Sequence, residues 1–160
     1  MTADAIVPHW PVPPRVRGLV TTRALGDMKG EQGRTRLRSL LPADPTWLRQ
    51  VHGIEVVDAA RAESGVAADA SFTRDAGVVC AVMAADCMPV LLAQDGGEAV
   101  AIAHAGWRGL CAGVIEAAIG AMGAPGGRIL AWLGPAIGPA AYEVDEEGRA
   151  AFLDRDARAA

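Results

Sequence analysis

Two apolar runs separated by a glycine turn impose the strongest constraint on how this chain folds. Residues 90–93 and 98–103 each have the length of a buried strand, and residues 95–97, Asp-Gly-Gly, are typical of a hairpin turn. Cys87 comes just before the first run and His104 just after the second. If the two runs are neighbouring strands, these two metal-capable side chains could converge on one point.

A third metal-capable side chain, His52, lies upstream in Leu-Arg-Gln-Val-His-Gly. Two imidazoles and one thiolate form a three-ligand set that suits Zn²⁺ with its fourth position open, as a catalytic metal requires. Taken alone, His52 fits a hydrogen-bonded core histidine equally. Cys87 has two alternatives: a nucleophile with His104 or His52 as its base, or a core thiol.

Composition excludes several classes of protein. The 160 residues suffice for one domain with its own core, which must be mainly aliphatic because 51% of residues are hydrophobic and 4% aromatic. The longest apolar run, residues 78–85, is too short to span a membrane, and the N-terminus does not resemble a signal peptide. Three cysteines indicate a reducing cytoplasm, and a net charge of −4 predicts no nucleic-acid partner.

The remaining patterns predict a mixed α and β chain. Apolar and β-branched runs predict further strands at residues 16–22, 47–51, 54–57, 70–73, 77–84 and 129–133. Helical spacing predicts helices at residues 34–41, from 105–109 to about 122, and from about 145 to the end. Residues 59–69 are rich in small and polar side chains and predict a surface connection. Cys80 and Cys111 are expected to be packing residues without a chemical role.

The segment after His104 offers further chemistry. Gly106 and Arg108 stand where a helix is predicted to begin, so free backbone N–H groups and a guanidinium could hold an oxyanion near the metal. The alternative is that Arg108 pairs locally. Asp86 is either a carboxylate that orients a metal-binding histidine or a turn-forming residue.

Four motifs together resemble the laccase-domain family, also called multicopper polyphenol oxidase or YfiH-like. They are residues 47–53 (Trp-Leu-Arg-Gln-Val-His-Gly), 85–92 (Ala-Asp-Cys-Met-Pro-Val-Leu-Leu), 104–109 (His-Ala-Gly-Trp-Arg-Gly) and 133–139 (Leu-Gly-Pro-Ala-Ile-Gly-Pro). The N-terminal Trp-Pro-Val-Pro followed by Thr-Thr-Arg is also similar, and the resemblance runs from about residue 7 to residue 152.

The resemblance implies an α+β fold, with packed mixed sheets and flanking helices in one laccase-like domain. It implies a metal, zinc or alternatively copper, held by His52, Cys87 and His104. The implied activities are phosphorolysis of adenosine, inosine, guanosine and methylthioadenosine, and hydrolytic deamination of adenosine. An older interpretation of the family is copper-dependent oxidation of phenols.

The same resemblance carries expectations for individual residues. Catalytic roles are expected for Asp86, Arg108 and Glu143. Contacts with the nucleoside or phosphate are expected for Arg23, Gln50, Gly106, Arg108 and Tyr142.

The chain departs from the family pattern at two places. The loop after Thr-Thr-Arg is short, filled by residues 24–33, and the family's Cys-Thr and Arg-Arg motifs, expected beyond residue 152, are not found. The chain is therefore expected to lack the family's C-terminal segment. A second subunit could then close the exposed sheet edge, or the chain could be a shortened relative that keeps only the fold and the metal.

Overall fold

The computed structural model describes residues 4–159, and it contains seven strands and four α-helices within that range. The strands are β1 (Ala5–Ile6), β2 (Val20–Thr21), β3 (Val56–Asp58), β4 (Ala70–Thr73), β5 (Met88–Gln94), β6 (Val100–Ala105) and β7 (Ile129–Leu133). The helices are α1 (Glu31–Arg38), α2 (Trp107–Ala112), α3 (Val114–Met122) and α4 (Glu146–Arg155). No helix in the described range is both long and apolar enough to cross a membrane.

Five of the strands form one mixed sheet in the order β3-β4-β6-β5-β7. Only β3 and β4 run parallel, whereas the other neighbours are antiparallel. Strands β1 and β2 form a separate antiparallel pair. This mixed sheet with flanking helices confirms the predicted α+β fold.

The central hairpin is confirmed and fixes the geometry of the metal-capable residues. β5 and β6 pair in a register that sets Pro89 opposite His104 and Met88 opposite Ala105. Their connection closes with a bond from the Gln94 N–H to the Ala99 carbonyl and one from the Gly97 N–H to the Gln94 carbonyl.

Helix α3 covers one face of the sheet. Val114, Ala118 and Met122 repeat every four residues on one side of this helix, and each is at most 1% exposed. They pack on small side chains such as Ala101 and Ala103 of β6. Small residues on the sheet let the helix approach closely. An aliphatic, alanine-rich sequence can therefore form a close-packed core.

The opposite face of the sheet borders a cleft of about 2450 Å³. Because side chains alternate along a strand, His104 lies on this face while its neighbour Ala103 points into the helix-covered core. N-terminal residues form the far wall, and Gly18 approaches so closely that a Cβ there would lie 2.6 Å from Leu91 Cδ2. The cleft is larger than an ordinary ligand pocket.

Two predicted strands form only isolated bridges. Residues 47–51 and 77–84 contribute the bridges Arg49–Ala67 and Thr46–Cys80 in place of continuous strands. The Gln50 side chain explains part of this difference, because it accepts the Met83 N–H and donates to the Met83 carbonyl, both at 2.7 Å. The hydrogen bonds of the Gln50 side chain therefore replace backbone hydrogen bonds between the two segments.

Several element boundaries also differ from the prediction. The strand predicted at residues 16–22 is reduced to Val20–Thr21, and His104 lies inside β6 and not after it. The helix predicted to run to residue 122 divides into α2 and α3, because Gly113 adopts a left-handed backbone with φ of 104°. Residues 129–133 and 70–73 form strands with the predicted bounds.

Candidate metal centre

The three metal-capable side chains predicted from the sequence meet at one point. The donor atoms of His52, Cys87 and His104 all lie within 4.8 Å of one another. Cys87 Sγ lies 3.9 Å from His52 Nε2, and the two imidazole rings contact edge to face with centroids 4.9 Å apart. His104 is buried, Cys87 is half-buried and His52 is exposed, so the cluster opens toward the cleft that all three line.

Three different elements supply these side chains. His104 belongs to β6 near its end, and Cys87 directly precedes β5, so the hairpin register brings them together. His52 comes from a turn and is the one described non-glycine residue with a positive φ, 59°. Histidine is among the few residues that adopt this region with some frequency, and such positions concentrate at functional sites.

A buried carboxylate, Asp69, supports two of the three side chains. Its Oδ1 lies 2.8 Å from His104 Nδ1 and accepts the His52 backbone N–H at 2.9 Å. Its Oδ2 accepts the backbone N–H groups of Val51 at 3.0 Å and Gly53 at 2.8 Å. The turn that carries His52 is therefore attached to the strand that carries His104.

Asp69 is ionised in this environment although it is fully buried. Burial alone would raise the pKa of the carboxyl, but the hydrogen bonds from His104 and from the backbone N–H groups of residues 51–53 outweigh it and hold the pKa below its ordinary value. The ionised carboxylate only accepts hydrogen bonds, so all four of its partners donate.

Gly106 leaves the room that the cluster occupies. A Cβ on this residue would lie 2.7 Å from His52 Cδ2 and 3.0 Å from Cys87 Sγ. Gly109 has a similar function one turn later, because a Cβ there would lie 2.9 Å from the Gly53 carbonyl oxygen. Both glycines allow the start of α2 to pack directly on the His52 turn.

The donor set fits a single transition-metal ion. Donor atoms around a tetrahedral zinc stand roughly 3.3–3.6 Å apart, because the bonds to nitrogen and sulfur are about 2.0–2.3 Å. The distance from Cys87 Sγ to His52 Nε2, 3.9 Å, is close to that spacing. Because Asp69 occupies His104 Nδ1, the second ring nitrogen, Nε2, remains available for coordination.

The thiol of Cys87 is better suited to a ligand than to a free nucleophile. Burial, followed by the nearby carboxylates of Asp86 and Asp69, raises the pKa of this thiol. Without a cation beside it the thiol stays protonated near neutral pH, whereas a bound metal would stabilise the thiolate.

The structure brings some of the other predicted site residues to the cleft. Arg23, Gln50 and Asp86 line it together with the metal-capable cluster. Both amide atoms of Gln50 already bind the Met83 backbone, so this side chain holds the segment before Cys87 in place. Asp86 is exposed, and its carbonyl accepts the backbone N–H of Ile137.

Other predicted site residues lie outside the cleft. The Arg108 guanidinium stacks on the Trp107 ring at 4.3 Å and lies 3.6 Å from Glu147 Oε1, in a shallow groove between α2 and α4. This is the local pairing that the sequence left open. Tyr142 and Glu143 are exposed in the connection between β7 and α4 and do not contribute to the cleft lining.

Sequence reasoning missed Asp69. The prediction that residues 59–69 form a surface connection is wrong at its end, because Ala68 and Asp69 are both 0% exposed. The segment turns inward there because the Asp69 carboxylate binds the His52 turn. One signal was present: a lone aspartate immediately before a buried strand, in a chain with two candidate histidine ligands.

Comparisons with known proteins identify the family of this chain. A family model described as multi-copper polyphenol oxidoreductase laccase matches residues 25–160. A purine nucleoside phosphorylase of Pseudomonas aeruginosa is 45% identical over 172 residues, which cover 96% of this chain and 71% of the relative. The purine nucleoside phosphorylase YfiH of Escherichia coli is 45% identical over 175 residues, covering 96% of this chain and 72% of the relative.

Solved structures share the fold. A Neisseria meningitidis protein of the DUF152 family superposes with a TM-score of 0.88 at 37% identity, over 97% of this chain and 72% of that protein. YlmD of Geobacillus stearothermophilus superposes with a TM-score of 0.65 at 29% identity, over 75% of this chain and 51% of that protein. The chain therefore belongs to the laccase-domain family, the YfiH-like proteins.

Proposed function

We propose that this chain is a metal-dependent purine nucleoside phosphorylase whose centre is His52, Cys87 and His104. One observation carries the proposal: the three donor atoms lie within 4.8 Å of one another and open on a cleft. Relatives that are 45% identical over nearly the whole chain bear the name purine nucleoside phosphorylase.

The proposed substrates are adenosine, inosine, guanosine and methylthioadenosine, together with inorganic phosphate. Zinc is the proposed metal. A zinc ion bound with its fourth position open would act as a Lewis acid and would lower the pKa of a water molecule there. His52 and Cys87 would hold it on the cleft side and His104 from the buried side.

In the proposed reaction the bond between the base and ribose C1′ breaks as a phosphate oxygen bonds to C1′. The products are the free purine and ribose 1-phosphate, and the departing base takes up a proton. Asp86, exposed beside Cys87 and lining the cleft, is the proposed proton-transfer residue, whereas Glu143, the other carboxylate expected from the sequence, lies outside the cleft.

Phosphate needs a cationic partner, and the cleft lining contains several cationic residues. The guanidinium groups of Arg17, Arg23 and Arg49 line it and have no carboxylate partner within 4.0 Å among residues 4–159. Arg23 is the one among them for which the family resemblance already implies a substrate contact. A guanidinium can bind two phosphate oxygens at once.

One further activity belongs to this proposal, and another is the alternative to it. Hydrolytic deamination of adenosine would give inosine and ammonia at the same centre. Copper-dependent phenol oxidation is the alternative, favoured by the description of the family model. That description names several copper ions, whereas residues 4–159 contain one group of three metal-capable side chains. This supports the nucleoside activity over the oxidase.

The test is base release from inosine by zinc-loaded protein, followed with and without phosphate. We expect hypoxanthine to form only with phosphate, and Cys87→Ala to abolish its formation while Cys111→Ala preserves it. Oxygen uptake with a phenol and copper-loaded protein provides the competing readout. Oxygen uptake without any phosphate-dependent base release would replace this proposal with the oxidase.

A further inference from the structure

We propose that Asp69 is the positioning residue of the metal centre, because it holds the His104 ring at Nδ1 and fixes the backbone conformation of His52. The inference rests on the proposed metal site but not on the reaction proposed for it. It also replaces Asp86, the carboxylate for which the sequence suggested this role.

The first step concerns the tautomer of His104. Oδ1 of Asp69 lies 2.8 Å from Nδ1, and both side chains are almost completely shielded from solvent, at 0% and 4% exposed. An ionised carboxylate can only accept, so Nδ1 must carry the proton. In the neutral ring with its proton on Nδ1, Nε2 is the nitrogen with a free lone pair, so it can coordinate a metal without a change of tautomer.

The second step concerns His52. Its φ of 59° is unfavourable for a residue with a Cβ, yet the carboxylate of Asp69 accepts three consecutive backbone N–H groups, those of residues 51–53. These bonds form only when the turn is curled around the carboxylate. The conformation that aims His52 at Cys87 is therefore stabilised by Asp69.

The third step concerns rigidity. The backbone of Asp69 is itself fixed, because its carbonyl accepts the N–H of His104 at 2.7 Å and its own N–H donates to the Glu55 carbonyl at 3.1 Å. The carboxylate is thus held by the sheet, and it holds both ligands from there. Ligands fixed in this way lose little freedom when a metal binds.

An asparagine cannot replace this carboxylate. Asparagine has one oxygen, and its NH₂ group would face N–H donors where Asp69 presents its second oxygen. Asp69→Asn therefore keeps the size of the side chain and removes the charge and at least one acceptor. Asp154→Asn is the control, because Asp154 is exposed on α4 and makes no side-chain hydrogen bond to His52 or His104 among residues 4–159.

The experiment measures zinc affinity by competition with a chelator in the full chain. We expect Asp69→Asn to lower the affinity by about 10- to 100-fold, the range typical of residues that orient metal ligands. Asp154→Asn should keep the zinc affinity of the parent protein. An unchanged zinc affinity in folded Asp69→Asn, or an equal loss in both variants, would overturn the proposal.

A second measurement needs no variant and remains decisive if Asp69→Asn fails to fold. The ¹⁵N chemical shifts of the metal-free parent protein report which ring nitrogen of His104 carries the proton. In the neutral ring we expect the proton on Nδ1 and none on Nε2. A neutral ring with its proton on Nε2 would overturn the proposal. If the parent protein binds zinc and shows this tautomer but does not catalyse phosphorolysis, the proposed function is contradicted. The role of Asp69 is then unaffected.

Discussion

The Asp69 carboxylate lies 2.8 Å from Nδ1 of His104 and attaches that histidine to the turn carrying His52. Two candidate ligands that are 52 positions apart in the sequence (104 − 52) thereby share one buried support. The third, Cys87, joins them through the pairing of β5 with β6. The backbone and one carboxylate thus hold the three side chains of the centre together.

Removing any one ligand is expected to lower bound zinc sharply. His52→Ala, Cys87→Ala and His104→Ala each leave two donors, which is too few for a stable zinc site. Metal analysis of the purified variants measures the effect. Cys80→Ala and Cys111→Ala are the matched controls, because neither thiol belongs to the cluster. Zinc content equal to that of the parent in Cys87→Ala would refute the ligand assignment.

Gly106→Ala is expected to weaken metal binding without unfolding the protein. The added Cβ would stand 2.7 Å from His52 Cδ2 and 3.0 Å from Cys87 Sγ, so one of these side chains must move. Zinc affinity and thermal unfolding, measured on the same sample, distinguish an effect on the metal site from an effect on the stability of the fold.

The control for this variant is Gly120→Ala in α3, where an added Cβ meets nothing within 4 Å. It should leave zinc affinity unchanged and stabilise the helix by roughly 0.5–1 kcal/mol, the usual difference between Gly and Ala inside a helix. An intact zinc site in Gly106→Ala would show that the cluster tolerates the methyl group.

Arg23 and Arg108 are alternative candidates for binding phosphate. The sequence suggested Arg108, but Arg108 lies beside Glu147 outside the cleft, whereas Arg23 lines it. We expect Arg23→Ala to raise the phosphate KM by about tenfold or more, since hydrogen bonds to charged groups contribute about 1.5–3 kcal/mol. Arg108→Ala should change it little. A large effect confined to Arg108→Ala would restore the original assignment.

Cys80 is expected to react slowly with thiol reagents. Burial raises its pKa to about 11, so the thiolate is only about 0.1% of the thiol at pH 8. Because the pKa is raised, labelling should accelerate about tenfold per pH unit until the pH approaches that value. Mass spectrometry of alkylated peptides measures this site by site. Fast labelling at pH 8 would contradict the raised pKa of Cys80.

The hairpin and its two flanking residues could be predicted because their signals are local. An Asp-Gly-Gly turn between apolar runs determines the pairing, and pairing determines that Cys87 and His104 lie at the same end. His52 could be included because the donor chemistry needed a third ligand. Strand β7 was also predictable, as a short apolar run of residues 129–133 bounded by glycines.

The role of Asp69 could not be predicted because it depends on contacts distant in sequence. Its partners are 16 to 18 and 35 positions away, and its position just before a buried strand does not identify them. The side chain of Gln50 was misleading for the same reason: its bonds to Met83 span 33 positions and replace a strand pairing. The pairing of Arg108 with Glu147 could not be specified because helix α4, which supplies Glu147, lies far along the chain.

The most direct test of the central claim is X-ray absorption at the zinc edge of the reconstituted protein. The account predicts one sulfur at about 2.3 Å, two imidazole nitrogens at about 2.0–2.1 Å and one further light atom at the open position. Cys87→Ala should lose the sulfur shell. A parent spectrum without sulfur, or with more than one sulfur, would contradict a centre formed by His52, Cys87 and His104.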